Sequence, residues 1–278
     1  MDGIDAPTTD MTPWALVTGA SAGIGEIFCR NLAKRGYHLV LVARRADRLH
    51  TLAEELRSKF GTASLVLPAD LAEPGATRTI AQRLREEEIH VEFLVNNAGY
   101  GMSGRFTDFG WREHADFIQV MTTAVCELTH ALLPAMQQRK KGYVINVASV
   151  AGLIPGTEGA TLYGASKAFL ISFSQSLALE NYFHRVNISA LCPGFTYSEF
   201  HDVSGTRELV NRLPSYMWLD ADEVVRFGIE SVVRPRPRVV AIPGRFYRML
   251  VRVNRMFPGI TRHILRKRSK DFRKLDRG

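Results

Sequence analysis

The sequence predicts an α/β domain built on a parallel sheet with helices on both faces. Three observations predict it. Short runs of Val, Leu and Ile alternate with helix-length segments along most of the chain, the order that parallel strands joined by crossover helices require. The runs are rich in Val, Leu and Ile, as strands covered on both faces must be. A glycine-rich turn separates the first run from the first helical segment.

The elements follow in order. Strands are expected at residues 15–18, 39–43, 64–68, 93–96, 142–147, 187–191 and 239–242. Helices are expected between them at 25–35, 47–60, 77–87, 111–138, 162–184 and 221–233. No internal repeat, Gly/Ser linker or low-complexity stretch interrupts the alternation. One domain is therefore expected over residues 13–243, after a loose leader at 1–12 and before a tail at 244–278.

Composition narrows the class. The chain has 278 residues, 46% apolar and 23% charged, enough apolar side chain for a sizeable core and too much for a disordered chain. No uncharged apolar run reaches the ~18 residues of a spanning helix. The leader is polar and acidic, unlike a secretory signal. Cys29, Cys126 and Cys192 lie far apart, without metal-binding or redox spacing. Neither a disulfide scaffold nor a metal site is expected, and a reducing compartment, the cytoplasm, is favoured.

The net charge of +8 is unevenly spread. Residues 244–278 hold twelve Lys and Arg against Asp271 and Asp276, a local +10, whereas the remainder carries −2. The tail is amphipathic in its first half. At 100° per residue Phe246, Met249, Leu250, Val253 and Phe257 share one face, and Arg245, Arg248, Arg252 and Arg255 lie opposite. Such a segment packs its apolar side on the body or a second subunit, or lies on an anionic membrane surface. No recognition motif supports nucleic acid as a partner.

The first turn reads Thr18-Gly19-Ala20-Ser21-Ala22-Gly23-Ile24-Gly25. Its glycines permit a tight turn and close approach to a pyrophosphate, and the following helix offers free N–H groups and a positive dipole end. A dinucleotide site is expected here. The second strand ends Val42-Ala43-Arg44-Arg45, without the Asp or Glu that holds a ribose 2′-hydroxyl. Arg44 supplies a planar fork suited to a 2′-phosphate, which favours NADP(H); the alternative is a pair of solvated surface arginines.

The fourth strand ends in Asn96-Asn97-Ala98-Gly99 and the fifth in Asn146-Val147-Ala148-Ser149. Tyr163 and Lys167 then open a helical segment four residues apart, a spacing that puts both on one face. Carbonyl reduction needs a hydride on carbon and a proton on oxygen. A tyrosine, ordinarily titrating near 10, can donate that proton, and a neighbouring ammonium favours the phenolate left behind. Ser149 can hydrogen-bond and orient the substrate oxygen. Each residue alone has a plainer role: Ser149 as a turn cap, Tyr163 at an interface, Lys167 in solvent.

Taken together, these motifs resemble the short-chain dehydrogenase/reductase family. The resemblance spans nearly all of residues 13–243 and adds Pro193-Gly194 after the sixth strand. It implies a doubly wound, seven-stranded parallel Rossmann sheet. It also implies Tyr163 as general acid, Lys167 on the nicotinamide ribose and lowering the tyrosine pKa, and Ser149 positioning the carbonyl. Cofactor contacts would come from Gly19, Ser21, Gly23, Ile24 and Gly25, and from Arg44, Asp70 on the adenine, Asn97, Ala98, Gly99, Tyr163, Lys167, Pro193, Gly194 and Thr196. Resembling enzymes pair through their two long helices, so a homodimer or homotetramer is expected.

One position departs from the family. Many members carry an Asn in the long helix after strand four, where it holds a water that feeds protons toward the Lys; alignment puts Met121 there, and Met cannot donate those hydrogen bonds. Gln119 or Thr122 compensates, the relay uses another route, or catalysis is weakened. Met121 is also the best argument for the alternative of a non-catalytic NADP(H)-binding sensor or scaffold. A further alternative is a membrane-surface protein acting through its tail.

Substrate contacts in such enzymes come from the segments after strands four, five and six. Here these are 100–106, 150–161 and 195–219, rich in apolar side chains including Ile154, Phe195, Tyr216 and Trp218. They suit a hydrophobic ketone, a 3-oxoacyl thioester or another lipid, or they simply cover the sheet edge.

Overall fold

The computed structural model describes residues 12–156, 158–199, 213–259 and 262–263. Nearly all of the expected leader, residues 200–212 of the substrate segment and most of the chain past Gly259 lie outside the described residues.

Seven strands form one sheet: β1 (Trp14–Thr18), β2 (His38–Ala43), β3 (Ser64–Pro68), β4 (Val91–Asn96), β5 (Gly142–Val147), β6 (Val186–Leu191) and β7 (Val240–Ala241). Their order is β3-β2-β1-β4-β5-β6-β7, and every pairing is parallel. This is the doubly wound Rossmann arrangement. The chain reverses its direction of winding between β1 and β4, and at such a switch a crevice opens beyond the strand carboxyl ends.

The helices are α1 (Gly23–Ala33), α2 (Ala46–Phe60), α3 (Ala76–Glu86), α4 (Trp111–Ile118), α5 (Ala124–Arg139), α6 (Thr161–Glu180), α7 (Ala221–Val233) and α8 (Arg245–Met256). Successive strand residues face opposite sides, and the two resulting cores show it. Ala15, Val17, Leu39, Leu41 and Phe93 bury against Phe28 and Leu32 of α1, Leu49 of α2 and Ile229 of α7. Leu16, Val40, Leu94 and Val144 bury on the other face against Ile80 of α3 and Leu128 of α5. Being covered on both sides, these strands contain no polar alternation to read.

Three expectations need correction. The single helix expected at 111–138 is broken by a π-helical turn, Gln119–Thr123, which separates α4 from α5. The expected final strand, 239–242, shrinks to Val240–Ala241. The tail helix α8 forms and packs on the body through only part of the expected apolar stripe: Phe246 and Leu250 join the contact, and Met249, Val253 and Phe257 do not. Its buried residues are Tyr247 and Val251, each 3% exposed, whereas Met249 and Val253 are open to solvent.

Candidate active site

The site lies along the carboxyl ends of β1, β4, β5 and β6. The glycine turn is built for close approach. Gly19 has φ +67°, and a Cβ on Gly25 would sit 2.2 Å from the Gly19 carbonyl oxygen, so both must be glycine. Neighbouring strands lock the turn. Thr18 Oγ1 accepts from the Asn97 and Ala98 N–H groups at 2.9 and 3.0 Å. Asn97 Nδ2 donates to the Thr18 and Gly19 carbonyls at 2.9 and 3.4 Å. The turn leads straight into α1, whose first N–H groups carry no side-chain cap. A cradle without side chains, backed by uncapped helix N–H groups, fits a pyrophosphate.

The two arginines after β2 take different directions. The Arg44 side chain is 70% exposed and reaches Asp70 at 3.8 Å. Arg45 turns back on the glycine turn, donating to Ser21 Oγ from Nε at 3.3 Å and from Nη2 at 3.2 Å. The sequence singles out Arg44 of the pair; the structure turns its neighbour, Arg45, to the glycine turn. Arg45 also faces Glu199 at 3.5 Å, and Arg48 holds the same carboxylate at 3.0 Å. Asp70 closes its own turn by accepting from the Ala72 N–H at 3.0 Å.

Lys167 occupies the centre of the site. Its Nζ is buried and donates to the Val147 carbonyl at 2.7 Å. It also lies 5.7 Å from the centre of the Tyr163 ring. Burial pulls its ammonium down to about 8, because a charge leaving water loses hydration. Tyr163 stands in the first turn of α6, and the i, i+4 spacing brings both side chains to one face as expected.

Ser149 fills its plainer role in this state. It caps the short turn Val150–Gly152, accepting from the Ala151 N–H at 3.1 Å. Its hydroxyl reaches the Pro193 carbonyl only at 3.4 Å, and that oxygen already accepts from the Val150 N–H at 3.0 Å. The hydroxyl proton can therefore turn to another acceptor without leaving a carbonyl unpaired.

A buried polar network behind the site was not read from the sequence. Asn96 Nδ2 donates to Asn146 Oδ1 at 2.8 Å and to Thr129 Oγ1 at 3.2 Å, and Asn146 Nδ2 donates to Ser174 Oγ at 2.9 Å. It ties β4 and β5, at the strand register Asn96–Asn146, to α5 and α6. Two asparagines ending neighbouring strands were its only sequence signal. Met121 stands in the π-helical turn, 1% exposed. Its Sδ lies 2.8 Å from where a Cβ on Gly99 would be, so a thioether closes the floor below Gly99.

Three of the four residues expected to contact substrate gather on one side of the site. Ile154 and Phe195 pack around Tyr247, Val251 and Val150, and the Phe195 and Trp218 rings are 6.0 Å apart. Tyr216 lies on the rim against Phe246 at 5.3 Å. Tyr247, which the sequence reading passed over, organises this side. Its hydroxyl accepts from the Phe195 N–H at 3.0 Å and donates to the Met217 carbonyl. Its ring lies 2.0 Å from where a Cβ on Gly194 would be. Thr196 turns its hydroxyl to the Gly194 carbonyl at 3.1 Å. A shallow cleft beside Tyr163 is lined by Met102, Arg105, Phe106, Phe109 and Leu162.

A sequence profile of the short chain dehydrogenases matches residues 13–208. The chain is 34% identical over 208 residues to the very-long-chain 3-oxoacyl-CoA reductase of Laccaria bicolor, covering 73% of this chain and 61% of that protein. It thus spans less than two thirds of that relative's length. It is 38% identical over 188 residues to nodulation protein G of a Rhizobium species, covering 68% and 75%. Among solved structures, a short-chain dehydrogenase from Sphingobium yanoikuyae in complex with NADPH superposes with a TM-score of 0.77 at 33% identity, covering 96% of this chain and 98% of that one. A bulky-bulky ketone specific alcohol dehydrogenase from Comamonas testosteroni gives 0.73 at 32% identity, covering 89% and 93%. The profile covers well over half of the sequence and contains the Tyr163–Lys167 pair that the fold carries to the strand ends, so the chain belongs to the short chain dehydrogenases.

Proposed function

We propose that this chain reduces a hydrophobic ketone to the alcohol with NADPH, the ketone being a 3-oxoacyl thioester or another lipid carbonyl. The observation that carries this reading is the buried Lys167 ammonium 5.7 Å from the Tyr163 ring, at the carboxyl end of β5. When bound, the reduced nicotinamide supplies the hydride for the carbonyl carbon. Tyr163 gives its proton to the carbonyl oxygen, and the nearby ammonium stabilises the phenolate that remains. Ser149 turns its hydroxyl from Pro193 to that oxygen and holds it. Gly19, Ser21, Gly23, Ile24 and Gly25 would cradle the pyrophosphate, Arg44 and Arg45 would hold the 2′-phosphate, and Asp70 the adenine. Asn97, Ala98, Gly99, Pro193, Gly194 and Thr196 would wall the nicotinamide end.

Met121 has no hydrogen-bond donor for a relay. Lys167, held at about 8, exchanges protons close to neutral pH and can itself restore the Tyr163 proton. Ile154, Phe195 and Trp218 would line an apolar channel for the substrate, with Tyr216 at its mouth. Such a substrate would be met at a membrane surface, facing a reducing compartment in which Cys29, Cys126 and Cys192 stay unpaired. The outer faces of α4 and α6 expose Trp111, Phe169 and Leu179, apolar side chains that a second copy of the chain would cover in a homodimer.

NADPH oxidation across ketones, from small diketones to long-chain 3-oxoacyl thioesters and steroids, tests the reading. Turnover should rise with chain length and vanish in Tyr163→Phe, which keeps NADPH binding. Turnover unchanged in that variant removes Tyr163 from its role. Bound NADPH with no ketone turned over would instead leave a cofactor-binding protein with Met121 in place of a relay.

A further inference from the structure

We infer that the outward side of α8 docks on an anionic lipid surface. The helix points three sectors in three directions. Tyr247 and Val251 face the body, packing with Val150, Phe195 and Leu219, and Asn254 Nδ2 donates to the Leu153 carbonyl at 3.0 Å beside them. Arg245, Arg248, Arg252 and Arg255 form a second sector, all exposed, and none makes an ion pair among the described residues. Met249, Val253, Met256 and Phe257 form the third, with exposures of 60, 41, 64 and 50%. At 100° per residue the third sector borders the second on the side away from the body.

The body already has its contact through the first sector, so the third has no partner within the fold. An apolar row beside a basic row on one helix face is the geometry that lies in a bilayer interface, side chains among the acyl chains and guanidinium groups at the phosphates. Charge selects the occupant. Residues 244–278 carry twelve basic side chains against two acidic ones, and no acid falls between 244 and 270. A second copy of this surface would set arginine against arginine. A nucleic acid would use the basic row and leave the apolar one in water. Anionic headgroups over hydrocarbon satisfy both rows.

The position of the surface gives it a use. Through Tyr247 the same helix holds Phe195 and Met217, and its Phe246 lies on Tyr216. Docking would set the expected substrate entrance next to the lipid. This link rests on the lipid-ketone reading; the docking itself does not.

Flotation of the full chain with vesicles tests the inference, using phosphatidylcholine alone and phosphatidylcholine mixed with phosphatidylglycerol. Binding is expected to the mixed vesicles only, weakening as salt rises. Replacing Arg248, Arg252 and Arg255 with Gln should weaken it about fivefold per arginine. Met256→Ser with Phe257→Ser should weaken it about tenfold. Both variants keep Tyr247 and Val251, and unchanged thermal unfolding would confirm that they fold. Equal binding to both vesicles, binding to neither, or full binding by the serine variant overturns the inference. So does a smaller assembly mass in the serine variant, which would make the surface a subunit contact, or duplex DNA bound where vesicles are not. Vesicle binding without turnover of any ketone would leave the docking standing and remove the reductase reading; turnover without vesicle binding would do the reverse.

Discussion

Lys167→Met removes a buried charge while keeping most of the side-chain volume, and its effect on stability can be worked from the site. The lysine is 5% exposed, and burial holds it at about 8 against an ordinary 10.5. That depression amounts to about 3 kcal/mol against the folded state wherever both states are protonated. Between pH 8 and 10.5 the unfolded chain keeps the proton and the folded chain has lost it. Wild-type stability therefore rises with pH across that window, and below it the whole penalty is present. The variant escapes the penalty but gives up the bond to the Val147 carbonyl, about 1 kcal/mol. At neutral pH it should be more stable by about 2 kcal/mol, or roughly 4 °C in Tm for a chain of this size. Above the window the order should invert, the variant falling about 1 kcal/mol below wild type. Thermal unfolding of both proteins without cofactor, at about pH 7 and about pH 11, reads the difference. A difference that does not change with pH would refute the reasoning, because Lys167 would then carry no buried charge to lose.

Other outcomes follow from the same site. Gly25→Ala drives a Cβ to 2.2 Å from the Gly19 carbonyl and 2.5 Å from Asn97 Nδ2; it should cost about 3 kcal/mol in urea unfolding and abolish NADPH binding, and a folded variant with unchanged affinity would remove the turn from the cofactor site. Glu199→Gln frees Arg45 and Arg48 from their shared carboxylate. NADPH should bind about threefold tighter, an exposed pair being worth well under 1 kcal/mol, with NADH unchanged, and fluorescence titration with both cofactors checks it. Met121→Asn puts hydrogen-bonding groups into the π-helical turn below Gly99. Turnover should rise by about tenfold, less than the roughly 10²–10⁴-fold of a full general acid–base contribution, because Asn would only assist the Lys167 relay. No rise in kcat would mean that Lys167 is supplied by another route.

The strands were legible because burial on both faces leaves them rich in Val, Leu and Ile, and only β7, two residues long, was too short to bound. Tyr163 and Lys167 were legible because helix geometry alone brings positions four apart to one face. The π-helical turn was not, since one widened turn leaves the apolar spacing of a long helix almost unchanged. Arg44 and Arg45 differ in the partners they meet in space, Asp70 for one and Ser21 for the other, which a residue string does not carry. In α8 the body covers one edge of the expected apolar stripe, Phe246 and Leu250, together with Tyr247 and Val251, where the Tyr247 hydroxyl finds a backbone donor and acceptor. Periodicity measures how much apolar surface a helix has. The neighbours it meets decide which part is covered.

The π-helical turn also decides where the chain can change length. On its N-terminal side α4 packs on α6; beyond it, α5 packs on α3, β4 and β5. Each half needs its own rotation about the axis. A π-helical turn takes up one residue more than an α-helical turn for about the same rotation, so deleting one residue from Gln119–Thr123 would leave a regular helix with both halves still in place. Keeping all five residues and forcing them into the α form would instead swing α5, sixteen residues, by about one residue's rotation, roughly 100°. Leu128, Thr129 and Met136, all buried, would then turn away from the sheet.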